Sequence, residues 1–291
     1  MKKLINQIAL ITKIDHHNNL WLLTTAGNQW PTYNNKGQLT NAVDEEYVAI
    51  AQIDLQAKKP HHVSAPLELH VSANTVQAHM IWCSSTQMPA QVQLWQRASE
   101  ISDTALKEFL IAVLSDTKIM MPFYMSRASK SYHHNEQGEL FIHSVEVAIA
   151  AQKMASQYNL PKRTQDCVFV GGLLHDIGKI MMFYNTGNGS NKGVNGQHES
   201  FNFMVLAEHL EWLKNQDKIL FEAMSAMLAP QVNNKKYYDY VEELIVRSAD
   251  RISAQCDELQ SLFKSKPADQ LFISANGGRK YKRLGQAQLA S

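Results

Sequence analysis

Leu173-Leu174-His175-Asp176-Ile177-Gly178-Lys179 places an imidazole and a carboxylate side by side at the end of an apolar run, with an ammonium close behind. Imidazole nitrogen and carboxylate oxygen together suit a divalent ion of the Mn, Fe, Zn or Mg type. Helix neighbours point about 100° apart, yet near a helix terminus both can turn towards one ion. Gly178 is expected to supply the left-handed residue that ends the helix. A His-Asp pair alone arises often by chance. It gains meaning from His143 in Leu140–Ala148 and Asp250 in Leu244–Ser253, each set in an otherwise apolar helical stretch. A buried carboxylate is costly unless compensated, so Asp250 needs a metal, a cation or water. Taken singly, Asp250 could pair with Arg247 or Arg251, and His143 could be a hydrogen-bonded core histidine. The four residues together favour a metal.

Helical periodicity surrounds these groups. Ile101, Ala105, Phe109 and Ala112 recur every three or four positions behind the capping pair Ser102-Asp103. Leu140–Tyr158 reads as a helix stopped by Asn159-Leu160-Pro161, and Thr164–His175 as the next; Phe201–Leu213, Ile219–Leu228 and Tyr240–Leu262 follow. Before them the pattern is β-rich. Ile8–Ile14 and Leu20–Thr25 flank the turn chemistry of His16-His17-Asn18-Asn19. A second turn signal lies at Asn34–Gly37, and Tyr47–Ile53, Leu67–Val71 and Val76–Trp82 are further strand candidates. Short strands with turns between them predict a small barrel or sandwich. The expected class is α+β: a β-rich domain at 1–95, a connecting helix at 96–119, a helical domain at 120–262 and a basic segment at 263–291.

With 45% hydrophobic and 19% charged residues, the 291-residue chain supplies a packed core, which excludes wholesale disorder. A net charge of +1 excludes a globally basic nucleic-acid binder. The C-terminal segment carries Lys264, Lys266, Arg279, Lys280, Lys282 and Arg283 against Asp269 alone. A solvated tail is the plain reading of it and phosphate contact the sharper one. Trp21, Trp30, Tyr33, Trp82 and Trp95 could stack bases, but residues 1–95 hold six basic and six acidic residues, which favours core or interface aromatics. Cys83, Cys167 and Cys256 form no CxxC pair, which excludes a zinc ribbon and fits a reducing, cytoplasmic setting. No apolar run is long enough for a membrane span, and Asn6-Gln7 interrupts the signal-like start. No membrane partner is expected.

His143, His175-Asp176 and Asp250, in this order and on helices, resemble the HD-domain metal-dependent phosphohydrolase superfamily. The similarity extends through Ser126–His134, Gly138, Leu140, His143-Ser144 and Glu146-Val147-Ala148, and covers about residues 120–262. It is similar to the branch of 3′–5′ exoribonucleases with an N-terminal OB fold, and equally to the HD domain of TraI-type conjugative relaxases. The resemblance implies an OB-like β-rich domain followed by an all-α HD-type bundle. It implies that His143, His175, Asp176 and Asp250 ligate a divalent cation (Mn, Fe, Ni, Zn or Mg). Asp176 and Lys179 would be catalytic, with Lys179 facing the scissile phosphate and His133 and His134 lining the entrance. His198 matches a histidine beside a second metal in some members, and His209 is a further candidate.

Two positions depart from the family pattern. Gly138-Glu139-Leu140 replaces Gly-Gly-Leu, and Met224–Ala229 lacks a histidine expected before Pro230. One tightly held metal is therefore expected. The function implied is hydrolysis of a phosphate ester on a nucleotide or nucleic acid, as a phosphodiesterase or phosphatase. The alternative is a weakly catalytic accessory or nucleic-acid-binding protein of DNA or RNA processing or conjugative transfer. A signalling output domain is a third reading, against which the intact ligand set weighs.

Overall fold

A computed structural model describes residues 3–15, 20–33, 46–129, 137–184, 196–230, 236–274 and 278–284. The turns expected at His16–Asn19 and Asn34–Gly37, and the histidines His133 and His134, lie outside the described residues. The architecture is α+β: a curled antiparallel sheet, a half-barrel, followed by helices. Strands β1 (Leu4–Asp15), β2 (Leu20–Thr25), β3 (Asn28–Tyr33), β4 (Glu46–Asp54) and β5 (Lys59–Val63) lie in the order β3-β2-β1-β4-β5, each pair antiparallel. The apolar run in β1 has a simple cause, since both faces of the strand are covered. Ala9 and Ile11 join Trp21, Leu23, Tyr47 and Ala49 on one side. Ile8 and Leu10 pack with Val48, Val76, Met80 and Trp95 on the other.

The strand expected at Val76–Trp82 is a helix, α1 (Ala73–Trp82), and Leu67–Val71 is not a strand. Ser72 caps α1 by accepting from the Thr75 N–H, and the buried residues Val76, His79 and Met80 follow a helical spacing, while Ile81 is 80% exposed. The aromatic and branched side chains imitate a strand; the side that packs decides otherwise. Helices α2 (Met88–Ser99), α3 (Thr104–Ser115), α4 (Thr117–Met125), α5 (Glu139–Gln157) and α6 (Lys162–Leu174) follow. Then come α7 (Lys179–Phe183), α8 (His198–Val205), α9 (Ala207–Gln216), α10 (Lys218–Leu228) and α11 (Val241–Phe263). The helix expected at Phe201–Leu213 is thus two helices, broken at Leu206. Among the described residues no helix is long and apolar enough to cross a membrane.

A buried polar network joins the sheet-bearing helices to the rest. His79 donates from Nε2 to the Leu114 carbonyl (2.7 Å), which leaves Nδ1 to accept from the Tyr124 hydroxyl (3.1 Å). Full burial lowers the His79 pKa to about 4, so the ring stays neutral in this role. Gln87 donates to the carbonyls of Tyr124 (2.8 Å) and Gly138 (2.9 Å), fixing the chain where α5 begins. The basic C-terminal segment is partly folded: β6 (Phe272–Ser274) and β7 (Lys280–Lys282) pair as a hairpin. It is pinned to α11 by bonds from Arg279 and Tyr281 to Glu258, and Arg283 lies over the Phe263 ring at 4.4 Å.

Two consecutive glycines set how closely α6 approaches its neighbours. A Cβ on Gly172 would lie 2.8 Å from Ala148 Cα and 3.1 Å from Ala148 N, both backbone atoms of α5. A Cβ on Gly171 would meet the Met227 thioether, the movable end of a side chain. Helix propensity alone favours alanine over glycine by about 1 kcal/mol. Gly172→Ala should nevertheless destabilise the protein by about 1–3 kcal/mol in denaturant unfolding, because two backbones must part. Gly171→Ala should lie much closer to neutral. Equal costs at the two positions would show that α5 and α6 are not held at this spacing.

Candidate metal centre

Three helices deliver the cluster. His143 projects from the first half of α5; His175 caps the C-terminus of α6 with Asp176 directly after it; Asp250 projects from α11. One ligand-type atom from each of the four lies within 4.8 Å of all the others. His143 Nε2 is 3.2 Å from Asp250 Oδ1 and 3.5 Å from Asp176 Oδ2. His175 Nε2 is 3.3 Å from Asp176 Oδ2 and 3.5 Å from Asp250 Oδ1. His143, His175 and Asp176 are buried, whereas the Asp250 side chain is 41% exposed and forms the wall towards solvent.

His175 shows what the cluster is built to hold. Its Nδ1 lies 2.7 Å from the Gly172 carbonyl, which can only accept, so Nδ1 carries a proton and Nε2 faces the carboxylates. That Nε2 is buried and makes no hydrogen bond. Buried polar atoms without partners are uncommon in folded chains. One imidazole nitrogen anchored to a carbonyl and the other aimed at two carboxylates is the arrangement of a metal-ligating histidine. His143 is similar: Nε2 faces the carboxylates and Nδ1 lies 3.5 Å from Ser253 Oγ. Two imidazoles and two carboxylates fit a divalent transition ion.

Burial disfavours charge on His175, but Asp176 and Asp250 outweigh it and raise its pKa to about 10. His143 moves upward for the same reason. Burial likewise opposes charge on Asp176, yet His175 and Lys179 hold its pKa well below the usual carboxylate range; His143 and His175 do the same to Asp250. Protons therefore sit where a cation would bind.

Asp176 is the hub. Its Oδ2, besides facing both ligand imidazoles, accepts from Lys179 Nζ at 2.5 Å, and its Oδ1 lies 2.7 Å from His198 Nε2. Lys179 and His198 open α7 and α8, so two helix starts converge on one carboxylate. Gly178 is right-handed (φ −61°, ψ −18°), contrary to the left-handed stop expected from sequence. Its reason is space, since a Cβ there would lie 2.1 Å from the His198 carbonyl and 2.7 Å from the Asn202 nitrogen. Glycine lets α8 reach the turn.

Asn202 is a residue that sequence reasoning missed. Fully buried, its amide donates to the His175 (2.6 Å) and Leu228 (3.0 Å) carbonyls, and its oxygen accepts from the Gly178 N–H (2.7 Å). An amide flanked by Phe201 and Phe203 in a helix was the available signal. His209 is not brought to the cluster. It lies 3.2 Å from Asp116 Oδ2 and lines a separate cavity of about 440 Å³ against α4 and α7. The ion pair considered for Asp250 is not formed through Arg247, which bonds Glu243 (2.9 Å) and the Ala229 carbonyl (2.9 Å). Above the cluster a cleft of about 350 Å³ is lined by His175, His198, Glu199, Arg247, Asp250 and Arg251.

Two outcomes follow from this geometry. Asn202→Ala leaves two carbonyls and one N–H without their partner, and should cost about 1–3 kcal/mol of stability and weaken metal binding about 10–100-fold. Calorimetric metal titration against wild type checks both. Because His143 and His175 hold protons that a ligated cation must displace, apparent metal affinity should rise with pH, by about tenfold per unit for each proton released. An affinity flat between pH 6 and 8 would place the cation elsewhere.

Residues 117–218 match the family model of the HDOD domain, an HD-related output domain. The matched segment includes His143, His175, Asp176, Lys179, His198 and Asn202 and ends before Asp250. No curated protein and no solved structure matches the chain. The HDOD match supports an HD-like superfamily for residues 117–218, which carry His143, His175 and Asp176 but not Asp250.

Proposed function

We propose that this protein is a metal-dependent phosphohydrolase, a phosphodiesterase or phosphatase acting on a nucleotide or nucleic acid. His143, His175, Asp176 and Asp250 are its metal ligands. The observation that carries this reading is the buried Nε2 of His175, aimed at Asp176 and Asp250 from 3.3 and 3.5 Å while Nδ1 is anchored to the Gly172 carbonyl. A bound divalent cation supplies Lewis acidity towards a phosphoryl oxygen and a lowered pKa for the attacking water. Asp176 would offer its Oδ1, beside His198, to the proton of that water. Lys179, held against Asp176, sets its ammonium where negative charge builds on the phosphate. Asp250 borders the cleft, so substrate enters along α11. The curled sheet ahead of the helices accords with an OB-like domain, as the exoribonuclease branch would have.

The HDOD match favours a second reading, an output module that recruits partners and does no chemistry. Metal content and turnover together separate the two. His175→Ala and Asp176→Ala should each strip the cation in elemental analysis of the purified protein and lower the melting temperature, since bound metal adds to folding free energy. Unchanged metal content in both variants removes the assignment.

Lys179→Ala should keep its metal and lose about tenfold to a thousandfold in kcat/KM, or about 1.4–4 kcal/mol of transition-state stabilisation. The assay is a screen of bis-p-nitrophenyl phosphate, nucleotides and oligonucleotides with Mn, Fe, Ni and Mg. A metal-loaded wild type that hydrolyses none of them favours the output reading.

A further inference from the structure

Among the described residues, three side-chain cations stand in or beside the cleft, and they differ in how far their donors are engaged. Lys179 is held by Asp176. Arg247 directs Nε to Glu243 and Nη2 to the Ala229 carbonyl, which makes it a structural clamp between α11 and the end of α10. Arg251, one turn further along α11, is exposed, lines the same cleft, and has no bonded partner among the described residues. It directly follows Asp250, so its guanidinium reaches the cleft from the side of the cluster's open wall.

The charges assign it a role. With the two imidazoles neutral as ligands, a divalent cation and Lys179 balance the carboxylates of Asp176, Asp250 and Glu199. Arg251 is then the surplus positive charge of the cleft. A guanidinium presents a planar fork of donors matched to phosphate or carboxylate oxygens.

We propose that Arg251 forms an anion subsite separate from the reacting phosphate, taking a second phosphate or other anionic group of the substrate. The inference rests on the metal-dependent phosphohydrolase reading, and it narrows the substrate class to molecules with two anionic groups. The cleft has room for both, and with Arg247 engaged, Arg251 is the arginine of the lining that meets the second.

The test is calorimetric binding of adenosine 3′,5′-bisphosphate and adenosine 5′-monophosphate to the manganese-loaded full chain. Wild type should bind the bisphosphate at least about tenfold more tightly, the scale of one charge-assisted pair. Arg251→Ala should remove that preference while binding the monophosphate within about twofold of wild type, and Arg251→Lys should recover part of it. Manganese content, measured on the same samples, should be unchanged in both variants. Equal weakening of both nucleotides by Arg251→Ala would show that the arginine serves the reacting phosphate, and no change would show that it faces solvent; either result overturns the subsite. Wild type that retains no manganese sinks the hydrolase reading alone. The same comparison on metal-free protein then decides the subsite, which stands if the bisphosphate preference still depends on Arg251 and falls if it does not.

Discussion

Asp176 carries the constraint on which the rest depends. Its side chain is 2% exposed, and its two oxygens face two ligand imidazoles, a lysine and a third histidine. A carboxylate taken out of water at this depth is tolerated only with close, well-aimed positive partners. Asp250 adds a second negative charge to the same space. Among the described residues Lys179 is the one fixed cation bonded to the pair, and the balance is made up by protons held on His143 and His175. That is an expensive arrangement for a protein core. It becomes an ordinary one when a divalent ion takes the place of the protons.

Holding four side chains around one point requires backbones closer than side chains normally allow. The helix carrying His143 and the one ending at His175 meet at Gly172, where no Cβ fits. The turn from His175 to Gly178 is approached by the helix that begins at His198, and Gly178 leaves room for it. Asn202 then ties both carbonyl and N–H groups of that turn to a neighbouring helix. Further out, Gln87 anchors Gly138 at the start of the His143 helix, and the His79–Tyr124 pair anchors the segment before it. Backbone approach and buried amides thus position the site within the apolar core that α5, α6 and α11 share.

The parts legible in the sequence were those set by local rules. The four cluster residues stood out because a polar residue within an apolar helical stretch needs a partner. The helices α3, α5, α6, α10 and α11 are readable from periodicity and caps, as with Asp103, whose carboxylate accepts from the Leu106 N–H, whereas α4 and α7 are not. Where local rules and packing diverge, the reading failed. Val76–Trp82 has strand-forming residues, yet only one helical side of it meets the sheet. Gly178 looked like a left-handed cap because glycine after a helix usually is one; its cause lies about twenty residues away, at His198 and Asn202. His209 follows His198 closely in sequence, but the break at Leu206 sends it to Asp116 instead. Each miss depends on a contact that no local window contains.

The contrast between an enzyme and a recruiting module comes down to what each requires of buried charge. A module that works through its surface gains nothing from a carboxylate buried as deeply as Asp176. Apolar side chains of similar volume in place of a buried ion cluster are often neutral or stabilising by about 1–4 kcal/mol. Nothing about the surrounding core, with Val145, Val147, Leu173 and Leu174 fully buried nearby in the chain, requires polar groups at those positions. Holding a proton on the buried Nε2 of His175 adds to the cost; Asp250, by contrast, is part-exposed at the mouth of a cleft that Arg247 and Arg251 border. The cluster is costly to the fold as it stands, is open on the side of Asp250 and has Arg247 and Arg251 at its mouth, a combination that weighs towards the enzyme reading proposed above.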